Sequence, residues 1–257
     1  MSERVEATTQ AAGEQRGEHP PHLAHHFDHP LQQFEAGKLG MWIFLAQEIL
    51  FFGGLFAAYA YFRANHPDMF LFAHRFLDWR LGGFNTVVLL ASSFTMAWAV
   101  RASQLGKQRA LVTLLVITLL LAGVFCGVKA VEYESKIEHG LMWGTNFAPD
   151  EHYLEKYGSH AKVPGGLEGV PGNMLEAARQ QEPPDNLHIF FGIYFLMTGL
   201  HALHVIIGMV VIAWLLVRAI KRHFSPQYFT PVDTVGLYWH LVDLIWIFLF
   251  PLLYLIH

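Results

Sequence analysis

The run LGMWIFLAQEILFFGGLFAAYAYF, residues 39–62, decides the fold class. A helix needs about 20 predominantly apolar residues to cross a bilayer, and this stretch supplies them. Near its middle stands Glu48. An acid at that depth costs on the order of 2.5–3.5 kcal/mol to insert, so it is kept with a partner, a proton or a task. At roughly 100° per residue, Met41, Phe44, Leu45, Phe52, Leu55 and Tyr59 cluster around Glu48, while Ala46, Gly53 and Ala57 fall nearly opposite. Small residues let helix backbones approach closely, so the Ala46, Gly53 and Ala57 face is the expected seam with a neighbouring helix. Glu48 is then expected on the bulky side, towards lipid, a cleft or a looser contact. The plainer alternative is a glutamate hydrogen-bonded to a neighbouring helix.

The rest of the composition fits a membrane protein. Of 257 residues, 53% are hydrophobic and 15% charged, where soluble domains average about 25% charged. A net charge of −4 carries no nucleic-acid footprint. Cys126 is the single cysteine, which excludes an internal disulfide and a cysteine-based zinc or iron–sulfur site. Residues 1–37 read as a polar tail, without the basic, apolar and small-residue succession of a secretory signal. His19, His22, His25, His26 and His29 within it read as solvated rather than as a metal site. Leu31, Phe34 and Glu35 indicate a short amphipathic turn leading into the first span.

Five spans are legible, at about 38–63, 82–100, 111–133, 188–217 and 234–256. The second is rich in small hydroxyls that can bond across helices. The third ends in Lys129, Glu132, Tyr133 and Glu134. Before the fourth, Pro183 and Pro184 precede Asp185 and Asn186, either of which is a natural N-cap. No inverted repeat of the transporter kind is visible. Lys38, Arg101, Lys107, Arg109, Arg218, Lys221 and Arg222 fall on one side, against Arg63, Arg75, Arg80 and Lys136 on the other. The positive-inside rule then gives an all-α integral membrane protein of five transmembrane helices, its N-terminus cytoplasmic and its C-terminus periplasmic. The organisation expected is a tail, 1–37, and a transmembrane domain, 38–257, with a long outer loop, 135–187, between the third and fourth helices.

Ionisable residues recur inside these spans. His201 and His204 are spaced i, i+3 on the fourth and share a face with Thr198, Val205 and Gly208. On the fifth, His240 and Asp243 have the same spacing, on a face with Gly236, Phe250 and Tyr254. That spacing brings an imidazole and a carboxylate within reach, so His240 and Asp243 are expected to form a structural pair. A haem between helices needs facing histidines, and His188 and His201 find no matched pair on the fifth span, where His240 and His257 remain. Copper or di-iron would want more histidines and carboxylates converging at one depth. The histidines read as fasteners between helices or to a partner.

Five stretches, KLGMWIFLAQEILFFGGLFAAY, NTVVLLASSFTMAWA, VKAVEYES, TGLHALHVIIG and YWHLVDLIWIFLFPLLY, occur in this order from about residue 31 to the C-terminus. Together they resemble subunit III of the haem–copper cytochrome c and quinol oxidases. The mitochondrial form has seven spans; this chain resembles the five-span bacterial form, and the insert after Ser135 has no counterpart. The resemblance implies a non-catalytic subunit of the bacterial inner membrane that carries no redox centre and no metal of its own. Haem and copper would lie in partner subunits I and II. This chain would pack beside subunit I, sustain its proton uptake and hold phospholipid in a cleft. Glu48 matches the family's carbodiimide-sensitive glutamate. His201, His204, His240 and Asp243 match positions in its characteristic helices, and Glu132 and Tyr133 the polar end of the third, as lipid or intramembrane polar contacts. A quinol oxidase or nitric oxide reductase subunit is an alternative within the family. Readings of another class are a free-standing transporter or proton channel, relaying through Glu48, His201 and Asp243, and a membrane cytochrome b. The electron donor is not legible in this chain.

Overall fold

The computed structural model describes residues 27–142, 148 and 186–256. His19, His22, His25, His26, most of the expected outer loop and His257 lie outside the described residues. Helix α1 spans Pro30–Asn65. A short helix, α2 (Pro67–Ala73), and a 3-10 turn (His74–Phe76) link it to α3 (Trp79–Gln104). Helix α4 covers Gln108–Glu138, α5 Leu187–Ile220 and α6 Thr230–Tyr254. All but α2 are long and apolar enough to cross a membrane. Among the described residues there is no strand, only an isolated bridge between Ser225 and Tyr228.

Each long helix starts ahead of its expected span, and α1, α3, α4 and α5 also run past its end, whereas α6 stops at Tyr254. Proline at the start of α1 supplies a φ suited to a first turn, so the helix begins at Pro30. Residues 30–37, read above as the end of the tail, are therefore helical, and the amphipathic turn is the first part of α1. The Asp78 carboxylate starts α3 by accepting the Arg80 amide at 2.8 Å. Gly106 (φ +66°) ends it. There the Lys107 amide donates to the Ala102 carbonyl at 2.9 Å and the Gly106 amide to Ser103 at 3.1 Å, a pairing that requires a left-handed residue. Asn186 occupies the expected N-cap of α5, but its side chain makes no capping bond.

Helices α3, α4, α5 and α6 pack side by side in a four-helix core: α3 lies against α4 and α6, and α5 against α4 and α6. Close approach is built in at Gly208, where an added Cβ would sit 2.7 Å from the Trp239 ring. Helix α1 stands outside this core, resting mainly on α6 and only grazing α5. The short α2, absent from the sequence reading, is a plug of aromatic side chains. Its Phe70 ring meets Tyr59 of α1 and Phe190 of α5, each at 5.2 Å between centroids.

The seam of α1 is the reverse of the one expected. Leu45, Phe52 and Tyr59 are buried, while Ala46, Gly53 and Ala57 are exposed. A Cβ added at Gly53 would meet nothing within 4 Å. In lipid, helix association has no hydrophobic drive to choose among apolar faces. An acid at mid-membrane is costly without a partner, so the polar side chain selects the face.

Candidate functional site

Glu48 faces the core and reaches His204 of α5, with Oε2 3.1 Å from Nε2. The pair is mostly enclosed, the two side chains being 12% and 16% exposed. The His204 Nδ1 lies 2.7 Å from the Leu200 carbonyl. A carbonyl only accepts, so Nδ1 carries a hydrogen, and one proton remains to be placed between Nε2 and the carboxyl. Whichever side holds it, the pair sums to zero charge. That neutrality is what lets an acid and a base sit at this depth. Phe52 lies edge-on to the imidazole at 5.2 Å, and the Tyr238 hydroxyl donates to the His204 carbonyl at 3.0 Å. Nearer the helix starts, Lys38 of α1 meets Asp233 of α6 at 3.2 Å. Polar contacts thus join α1 to both α5 and α6.

The second polar site is fully enclosed. Glu132 of α4 accepts from four donors. Lys129 reaches Oε2 at 2.8 Å; Lys136 (2.9 Å), Tyr194 of α5 (2.9 Å) and Tyr254 of α6 (2.6 Å) all reach Oε1. Lys129 also donates to both tyrosine hydroxyls at 3.0 Å. Its ammonium lies 5.1–5.2 Å from the Tyr133, Tyr194 and Trp246 ring centroids, distances at which the ring faces attract a cation. Tyr133 donates to Thr198 at 2.5 Å, and Thr198 passes its own proton to the Tyr194 carbonyl at 2.6 Å. One carboxylate therefore holds two ammonium groups and ties α4 to α5 and α6.

Glu132 and Tyr133 were expected as polar contacts, but Lys129, Lys136, Tyr194 and Tyr254 were not expected as their partners. Lys136 counted above as a charge on the outer side, yet it is 3% exposed. The signal that could have found the site is the spacing of Lys129, Glu132 and Lys136, at i, i+3 and i+7, which places all three on one helix face.

The third set of polar residues corrects the expected His240–Asp243 pair. The His240 Nδ1 turns to Ser93 of α3, 2.6 Å away, and that same Ser93, rather than His240, is the hydrogen-bonding group beside the Asp243 carboxyl. Adjacent turns on one helix allow such a pair but do not compel it, and a hydroxyl on a facing helix competes. The face shared by His201 and His204 also divides. His204 turns to α1, while His201 lies in the core between the rings of Phe125 (5.7 Å) and Trp246 (5.2 Å). The small hydroxyls of the second span do bond across helices. Ser92 accepts from the Trp239 indole at 3.0 Å, Thr86 accepts from that of Trp246 at 3.1 Å, and Thr95 meets Thr118 of α4 at 2.8 Å. No group of three His, Cys, Asp or Glu side chains that could hold a metal ion occurs among the described residues.

Comparison with known proteins bears on what this arrangement belongs to. The family model for cytochrome c oxidase subunit III matches residues 24–142 and 186–257, all five spans. A quinol oxidase subunit 3 of Bacillus spizizenii is 28% identical over 226 residues, covering 87% of this chain and 90% of that protein. A cytochrome c oxidase subunit 3 of Thermostichus vulcanus is 29% identical over 233 residues, covering 89% and 92%. One from Prototheca wickerhamii is 28% identical over 225 residues, covering 84% and 68%. With a family match that spans all five membrane-length helices, this multi-pass membrane chain belongs to the cytochrome c oxidase subunit III family.

Proposed function

We propose that this chain is the non-catalytic subunit III of a proton-pumping haem–copper terminal oxidase in a bacterial inner membrane. It braces subunit I, sustains proton uptake there and holds structural phospholipid. Haem and copper belong to partner subunits I and II. The observation that carries the reading is the family match across α1 and α3–α6. The Glu48–His204 pair supports it, since it sits where an outlying helix meets the core. The histidines support the placement of haem elsewhere. His204 is engaged at both nitrogens, and His201 is enclosed between two aromatic rings. The N-terminus faces the cytoplasm and the C-terminus the periplasm, by the distribution of Lys and Arg.

A quinol oxidase is the second reading, favoured by the Bacillus relative that carries that name at comparable identity. The test is purification of the intact assembly in mild detergent through a tag on this chain. Co-purification of a haem- and copper-bearing subunit that consumes oxygen supports the proposal, and the donor accepted, reduced cytochrome c or quinol, separates the two oxidases. Recovery of the chain alone, with ion flux after reconstitution, would refute both.

A further inference from the structure

Where α1 ends, a groove of about 640 Å³ opens between α1, α2 and α6. Phe56 and Ala60 of α1, Leu71 of α2, Leu252 of α6 and Ile256 just beyond it form its apolar wall. Among the lining residues Arg63 alone is charged; it stands half-buried in the last turn of α1. The buried Tyr59 holds that guanidinium in place. Its hydroxyl donates to the Leu252 carbonyl and accepts from Arg63 Nη1 at 3.2 Å. A guanidinium has five N–H donors, and this is the single hydrogen bond Arg63 makes among the described residues. No described carboxylate lies within ion-pair distance of it, whereas Lys38, Lys129 and Lys136 each have one. The helix dipole favours a cation in a last turn, which accounts for the place of Arg63 on α1. It does not account for the unused donors or for the apolar groove beside them.

Depth identifies the occupant. Glu48 lies near the middle of α1. At 1.5 Å of rise per residue, Phe56 stands about 12 Å and Arg63 about 22 Å further along the helix. The hydrocarbon of a bilayer reaches about 15 Å from its centre and the headgroups about 20–22 Å. The groove therefore starts among acyl chains and ends at headgroup level, where its cation stands. We propose that it binds one anionic phospholipid, with the phosphate on Arg63 and an acyl chain along Phe56, Leu71 and Leu252. The guanidinium fork matches two phosphate oxygens at once, and the lipid brings the negative charge that the neighbouring helices do not supply. Bound there, it seals α1 against α2 and α6 at the end opposite the Lys38–Asp233 contact. The inference rests on the phospholipid role proposed above and gives it a specific site, whichever donor the complex uses.

The test gives the purified intact complex, in detergent, a phosphatidylglycerol carrying a diazirine in the upper half of one acyl chain. After illumination, the peptides that hold Leu71, Leu252 and Ile256 should carry the label. Unlabelled phosphatidylglycerol should compete for the site. Phosphatidylcholine, neutral overall, and inorganic phosphate should each compete about tenfold less well. Arg63→Gln should lower the labelling about tenfold, and Arg63→Lys, which keeps the charge but not the fork, by less. Should the loss of Arg63 loosen α1, Ala60→Phe fills the groove with Arg63 in place and should abolish the labelling too. Labelling unchanged in Arg63→Gln and Ala60→Phe, or competed as well by phosphatidylcholine or inorganic phosphate as by phosphatidylglycerol, would overturn the proposal. So would a complex that retains phospholipid but takes the label only elsewhere, a result that leaves the wider lipid role standing.

Discussion

Replacing Glu132 by glutamine exchanges one carboxylate oxygen for an NH2 group in a buried polar site shared by α4, α5 and α6. Oε2 accepts from Lys129, and Oε1 accepts from Lys136, Tyr194 and Tyr254, all within 2.6–2.9 Å. Whichever way the new amide turns, its NH2 faces at least one ammonium group, a donor against a donor. The two lysines, 4% and 3% exposed, also lose the carboxylate they share. Breaking a buried ion pair by removing one partner costs about 3–5 kcal/mol. In a chain of this size 1 kcal/mol shifts Tm by about 2–4 °C, so the expected fall is about 6–20 °C. The assay is scanning fluorimetry of the purified complex at a fixed heating rate, with retention of this subunit followed on native gels. A companion variant, Lys129→Met, Glu132→Leu and Lys136→Met, removes all three charges together. Apolar replacement of a whole buried ionic group is neutral or stabilising by about 1–4 kcal/mol, and the tyrosine hydroxyls can then donate to one another across 3.3 Å. The triple variant should therefore melt above the single one. A Glu132→Gln protein melting within about 2 °C of wild type, or a triple variant no more stable than the single, would refute the reasoning.

Glu48→Gln should abolish carbodiimide labelling of this chain while leaving haem content and initial electron transfer of the complex intact; undiminished labelling would place the reactive carboxyl elsewhere. Gly208→Ala would set a methyl group 2.7 Å from the Trp239 ring, and overpacking of this kind costs about 1–3 kcal/mol, visible as a lowered Tm. Ser93→Ala removes the partner of the His240 ring nitrogen and should cost about 1–3 kcal/mol; a Tm equal to wild type would show that the imidazole finds another partner. Asp78→Ala deletes the acceptor of the Arg80 amide, with an expected loss of about 1 kcal/mol, measurable in the same melt.

Much of the architecture was legible because membrane spans are written in long runs of one kind of residue. The five apolar stretches correspond to α1 and α3–α6 within about five residues at each end, except that α1 begins at Pro30 rather than near residue 38. The misses were local. Helix α2 and the turn after it bury Met69, Phe70, Phe72, Ala73 and Phe76, yet the stretch is too short to show a helical period. At Lys136, a positive residue near a span end resembles a loop charge until the helix is seen to continue to Glu138. The His240–Asp243 pair failed because spacing along one helix cannot report a hydroxyl waiting on another.

The amino-acid order by itself determined that five stretches are long and apolar enough to cross a membrane, that Glu48 needs a counterpart, and which family the chain resembles. Each of these follows from the cost of polar groups in hydrocarbon, which depends on residue type and run length alone. Only the tertiary structure decided that Glu48 meets His204, that Glu132 gathers two lysines and two tyrosines, and that His240 turns from Asp243 to Ser93. The same cost tells a buried polar group that it must find a partner, but the partner is chosen by rotation and depth of helices far apart in the chain. Those quantities belong to the packed bundle.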